Sequence, residues 1–357
     1  VAALSCCIHS VASAPADDAR HILASAESCR ECHREHVDQW KNSPLAHFSR
    51  ERNLPLERLW KAREDVAGKK LDGCPKCHEP LAAFFAAGQG AWARTERVTC
   101  TFCHAIGAEH GGDAYASGSG TKTASVAVSR KEAGLPVGEK GSDLCLRCHQ
   151  NIRPEYTEFQ TKFPGEKTTC AGCHMPLREG KDPMHSHSFP GGFSETMLRE
   201  AVRFDMQAAR SDSGIEVHIS AGNNVKAHYI PTGSELAYIV LHVQARDLSG
   251  AVVWQNWKSD PVRECPTAVF SRVYSDDQGR APVPSWSKNK KLLLDHRLKT
   301  DDTRRVSYSI PVPGVARVEA ELRYSSLHPC ASKALGLEDA RYTASRVMAS
   351  KAIVLRD

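Results

Sequence analysis

Ten of the chain's fourteen cysteines fall into five copies of one pattern, Cys-x-x-Cys-His. The copies are Cys29, Cys32 and His33; Cys74, Cys77 and His78; Cys100, Cys103 and His104; Cys145, Cys148 and His149; and Cys170, Cys173 and His174. A two-residue gap lets both sulfurs reach one edge of a porphyrin and add across its two vinyl groups. The histidine that follows is carried over the ring face, where it ligates iron. This is the attachment pattern of c-type haem. Pairs of Cys-x-x-Cys groups also build tetrahedral zinc sites, but zinc does not require a histidine directly after each pair. A redox dithiol sits alone in a βαβ setting rather than in five copies. The expected cofactor is five covalently bound haems c.

The motifs fix one face of each iron. The other face decides the chemistry: a second histidine makes a six-coordinate electron-transfer haem, and an open position makes a place to bind and reduce a small molecule. Seventeen histidines less the five in the motifs leave twelve. Four positions stand out. His47 follows a helix break after Trp40. His110 lies six residues past His104, beside Gly111-Gly112. Either His185 or His187 serves as a ligand just after the last motif. His228, in the apolar run Ala227-His228-Tyr229-Ile230-Pro231-Thr232-Gly233, is a ligand inserted by the C-terminal region or a histidine packed at its end. His218 falls on a polar strand phase, and His242 on an apolar one. His36 is too close to His33 to reach across the same ring.

These side chains need elements to hold them. Motif starts at 29, 74, 100, 145 and 170 leave gaps of 45, 26, 45 and 25, so one motif is followed by two similar pairs. The short gaps make those haems neighbours, because about 20 residues that include a helix cannot span far. Leu56, Leu59, Trp60, Arg63 and Val66 follow helical spacing from Pro55 to Ala67, with Gly68 past the end. Residues 105–143, rich in Gly, Ser and Lys, read as a long irregular loop.

After Ser194 the period changes to two. Val202 to Ala208 and Ile215 to Ile219 flank the turn Asp212-Ser213-Gly214, and alternation returns at 237–245, 306–310 and 316–324. The expected fold class is α+β: a mostly helical and irregular domain packed around five haems over 15–193, then an antiparallel β-sandwich over 194–357. Residues 258–300 read as a loop. A disulfide between Cys265 and Cys330 is expected to pin that connection.

Composition agrees with a cofactor-filled core. Hydrophobic residues make up 41% and aromatics only 7%, and porphyrins would supply the missing apolar faces. The formal charge of +5 falls once propionates bring roughly −2 per haem, so apparent basicity implies neither nucleic acid nor a membrane surface. Covalent haem attachment occurs outside the cytoplasm, so a periplasmic or cell-surface location is expected. Val1 to Ala14 reads as the remnant of a signal peptide, with Ala12-Ser13-Ala14 as its cleavage pattern; a lipid anchor at Cys6 or Cys7 is the competing reading. No 18-residue apolar run suggests a membrane span.

The chain resembles the multihaem c-type cytochromes related to the tetrahaem cytochrome that takes electrons from hydroxylamine oxidoreductase. Cys29–Ser43, Val98–Ile106, Leu144–His149, Cys170–Pro176, Ser186–Gly191 and, in the C-terminal region, Ala227–Gly233 and Asp295–Leu298 carry the resemblance. It implies bis-histidine haems in close stacks, favours His187 over His185, and supports His47 and His228 as ligands. Two departures bear on this. Ser43-Pro44-Leu45-Ala46-His47 shifts the histidine from a Ser-x-His-Ala pattern, and residues 111–142 lack the histidine expected before the fourth motif. One haem is then five-coordinate or completed by another subunit. The leading expectation is a carrier of single electrons between redox proteins. The alternatives are an oxidoreductase acting on a small nitrogen or sulfur species, and a subunit of a homo-oligomer or conductive cytochrome assembly.

Overall fold

The structure, a computed structural model, describes residues 25–50, 52–80, 97–100, 103, 142–178 and 184–355. The signal remnant at 1–14, Cys6, Cys7, His104, His110 and residues 105–141 of the Gly-rich loop lie outside the described residues. Contacts divide the chain into two units. The first holds Val1–Glu57, Leu71–Leu144 and Met175–Phe189, and the second Arg58–Lys70, Cys145–His174 and Pro190–Asp357. The fourth and fifth motifs therefore group with the C-terminal strands, not with the first three motifs.

The first unit is built from short pieces. A 3-10 turn at Ala26–Cys29 starts where Ser25 accepts from the Glu27 amide, and helix Arg34–Lys41 follows. Helices Pro44–His47 and Pro75–His78 each begin on proline, which suits a first helical position because no amide is lost there. Val37 and Trp40 lie on the buried side of helix Arg34–Lys41, and Trp40 Nε1 donates to the Val98 carbonyl at 2.8 Å. Ala26, Trp40 and Ala46 form a small core with Leu45, Cys100 and Phe189 against it. Strands β1 (Leu177–Arg178) and β2 (Met184–His185) make a short antiparallel hairpin.

The second unit is dominated by antiparallel sheets. One sheet has the order β3 (Val202–Ser211), β4 (Gly214–Asn223), β9 (Thr303–Ile310). Another has the order β11 (Arg346–Val354), β10 (Arg317–Ser325), β5 (Tyr238–Arg246), β6 (Val252–Gln255). Ile215, Val217 and Ile219 from the first share one buried cluster with Ile239, Leu241, Val243, Val318 and Leu322 from the second. The turn expected at Asp212-Ser213-Gly214 closes β3 on β4, with Gly214 at φ +135°. There a Cβ would come within 2.3 Å of the Ile310 carbonyl.

Residues 258–300 are more ordered than the sequence reading expects. They contain β7 (Arg272–Ser275) paired with β8 (Lys291–Asp295). The cause is β5, which is apolar on both faces. Ile239, Leu241 and Val243 serve the main core, while Tyr238 and Val240 pack with Val262, Val269 and Val273 from the connection. A strand of this kind needs a cover on its second side. The expected disulfide is also absent: Cys265 and Cys330 are not bonded to each other. Cys265 packs against the main core, with its sulfur near Thr267 and Tyr308. Cys330 lies in the first turn of helix Pro329–Leu335, whose Ala331 and Leu335 form a separate cluster with Leu59 and Ala62 of helix Leu54–Ala67.

Candidate functional site

The fifth motif closes in the helical turn Cys170–His174, preceded by helix Arg153–Lys162. Tyr156 and Phe159 of that longer helix are buried with Leu146 and Ala227, and Cys170 packs on the same cluster. The helix thereby ties the fourth motif, the fifth motif and the His228 loop together.

The His174 and His228 ring centroids lie 6.3 Å apart, with the ring planes 23° from parallel. Two imidazoles bound to opposite sides of one iron, at about 2 Å per metal–nitrogen bond, have centroids separated by roughly 6 Å. Each ring also has its orientation fixed. His174 Nδ1 donates to the Pro190 carbonyl at 2.6 Å, and His228 Nδ1 to the Tyr229 carbonyl at 2.9 Å. With Nδ1 donating to a carbonyl, the neutral form of each ring presents Nε2 as the metal-binding atom, and the carbonyls act as orienting partners. His228 is held below the ordinary histidine value, first by loss of hydration, so it stays neutral as a ligand must. His149 is lowered by loss of hydration and then by the nearby His174. The residues fit an iron held between His174 and His228.

A buried ionic chain holds the His228 loop. Glu155, from helix Arg153–Lys162, accepts from the Tyr229 amide at 3.0 Å and the Thr232 hydroxyl at 2.6 Å. Its other oxygen meets Arg297 at 2.5 Å, with both side chains only 6% exposed. Arg297 also grips Asp295 through Nε at 2.8 Å and Nη2 at 3.0 Å, and its guanidinium lies over the Tyr229 ring. Asn223 donates to the His228 carbonyl at 2.8 Å. Sequence reasoning missed Glu155 as a site residue. Its only signal was a carboxylate on the inner side of a helix beside Tyr156 and Phe159.

In the first unit, His187 sits where segment 186–189 meets helix Arg34–Lys41. Its amide donates to Gln39 at 2.7 Å, and Arg178 pairs with Glu35. His187 Nδ1 donates to the His185 carbonyl at 2.9 Å, and His185 Nδ1 to the Met175 carbonyl at 2.7 Å. The His36 ring contacts both His33, at 5.7 Å, and His187, at 4.7 Å. His47 is exposed and spends Nε2 on the Lys41 carbonyl at 2.8 Å. The next residue, Phe48, lies 5.1 Å from the His78 ring. The thiols of Cys29 and Cys100, from the first and third motifs, hydrogen-bond, and this contact is the main reason the Cys100 thiol is pushed up from its ordinary value. Outside these groups, His218 is exposed on Ser307, and His242 packs on Trp257.

A family model described as "Cytochrome c554 and c-prime" matches residues 28–105, which carry the first three motifs. No curated protein matches the chain. Among solved structures the chain is similar to a penta-heme cytochrome c552 from Thermochromatium tepidum, at 26% identity and a TM-score of 0.73. The match covers 93% of this chain and 99% of that one. No helix among the described residues is long and apolar enough to cross a membrane. Motifs, family match and structural likeness together support a multihaem c-type cytochrome with five covalently bound haems c.

Proposed function

We propose that the protein passes single electrons along closely spaced haems, outside the cytoplasm, between two redox proteins. The observation that carries this reading is the His174–His228 pair. A haem closed on both faces by histidine has no position left for a substrate, and the buried Glu155–Arg297 chain keeps the second histidine in place. The nearness of the Cys29 and Cys100 thiols supports close spacing, since porphyrins attached there would have neighbouring edges. Closeness of His149 to His174 supports the same for the last two motifs. By its docking on helix Arg34–Lys41, His187 is the second ligand of a haem in the first unit. His47 and His110 are the ligands proposed for two of the other three, His47 by turning its ring away from Lys41. Residues 194–357 are read as a β-sandwich whose loop supplies His228 to the fifth haem.

The test is electron paramagnetic resonance of the oxidised protein, read beside a pyridine haemochrome count. Five haems per chain are expected, at least four of them low-spin. His228→Ala should convert one of them to high spin and let it bind carbon monoxide when reduced. A wild-type high-spin haem that binds nitrite or hydroxylamine would favour an enzyme instead. A count far from five would end the reading.

A further inference from the structure

Five side-chain atoms buried without a hydrogen-bond partner come from two short stretches of the first unit: Ser43 Oγ, Ser49 Oγ, Thr99 Oγ1, and Nε and Nη2 of Arg97. Ser43 and Ser49 are 0% exposed, Thr99 2% and Arg97 5%. The stretches pack on each other, through the hydrogen bond from Trp40 to Val98 and the contact of Ala46 with Cys100 in one apolar cluster.

All five atoms can donate. Arg97 cannot shed its charge, because a guanidinium stays protonated in proteins. A buried cation two of whose nitrogens meet no acceptor among the described residues is a costly arrangement. No carboxylate among the described residues pairs with it. The complement of a guanidinium fork is a carboxylate, taken through two parallel N–H···O bonds, and buried hydroxyls on the adjoining stretch can donate to its remaining lone pairs. The chain acquires such groups with its cofactors, since each haem carries two propionates, and Arg97 lies three residues before Cys100.

We propose that Arg97, helped by the hydroxyls of Thr99, Ser43 and Ser49, seats a propionate of one haem of the first three motifs. The seat neutralises that propionate inside the protein and sets the haem's potential. This rests on the five-haem reading and goes beyond it by naming the residues that hold a non-iron part of the cofactor. A cation beside a haem disfavours the ferric state, so Arg97 raises the potential of its haem.

The experiment compares wild type with Arg97→Gln and Arg97→Lys. The readouts are haem count by pyridine haemochrome, individual midpoint potentials by spectroelectrochemistry, and the propionate bending bands in resonance Raman spectra. Arg97→Gln is expected to keep five haems, lower one of the five potentials and shift one bending band. Arg97→Lys should restore the potential but not the band, because a point charge lacks the fork. Five unchanged potentials and unchanged bands in a fully loaded Arg97→Gln protein overturn the proposal. Should Arg97→Gln fail to mature, Ser43→Ala with Thr99→Val keeps the charge and removes two donors. It should shift the same band, and an unshifted band overturns the proposal. A wild-type count below five would instead fail the five-haem reading.

Discussion

At the scale of single residues, His328 shows what burial does to a titrating group. It is 8% exposed, its Nδ1 accepts from the Cys330 amide at 3.1 Å, its ring meets Tyr238, and its Nε2 has no partner among the described residues. Burial pushes its pKa from 6.5 down to about 4. Between those values the unfolded chain binds a proton that the folded protein refuses. Stability therefore rises with pH across the window and is lost as pH falls from 6.5 toward 4, by about 3 kcal/mol in all. Denaturant unfolding of wild type and His328→Gln at pH 7 and pH 4.5 checks this. The variant should lose markedly less stability on acidification, and equal losses would refute the assignment to His328. Nothing in the sequence marks that burial, just as one arginine reads like another until Arg97 is seen to be buried. The motif cysteines, by contrast, declare themselves because thioether attachment demands Cys-x-x-Cys-His locally, and His228 could be singled out because an imidazole in an apolar loop needs a reason to be there.

At the scale of elements, strand period located β3, β4, β5, β9 and β10, and helical period with Pro55 and Gly68 located helix Leu54–Ala67. The hairpin within 258–300 escaped because its composition is that of a loop. Its order comes from the second apolar face of β5, a tertiary demand invisible in the segment itself. The same holds for helix Arg153–Lys162. Its own pattern is weakly amphipathic, yet it joins two motifs to the loop of the proposed distal ligand His228. Glu155 is its critical side chain. Glu155→Ala strands Arg297 as a buried charge that keeps only Asp295, and breaking a buried pair in this way costs about 3–5 kcal/mol. It also releases the Tyr229 amide and the Thr232 hydroxyl beside His228. Glu155→Ala should lower the unfolding midpoint and add a fraction of high-spin haem. Glu155→Gln, which keeps an acceptor, should do less of both. A destabilised Glu155→Ala protein whose haems all stay low-spin would separate the ionic chain from ligand placement.

At the scale of the whole molecule, the cofactors rewrite what composition says. The chain alone has a formal charge of +5 and a sequence pI near 8.5. Five haems add roughly −10 from ionised propionates. In the oxidised state each ferric porphyrin core returns about +1, so the added charge is nearer −5. The oxidised protein is then close to neutral at pH 7, and complete reduction carries it to about −5. Lean hydrophobicity and apparent basicity thus have one cause, a chain written to be completed by cofactor. Every electron taken up also makes the surface field more negative, which strengthens attraction to a basic acceptor and weakens it to an acidic donor. Isoelectric focusing tests the charge count directly. The oxidised holoprotein should focus well below 8.5, and the dithionite-reduced protein lower again under anaerobic conditions. If both focus at the position of the haem-free chain, the propionates are not ionised as counted, and the electrostatic preference between donor and acceptor goes with them.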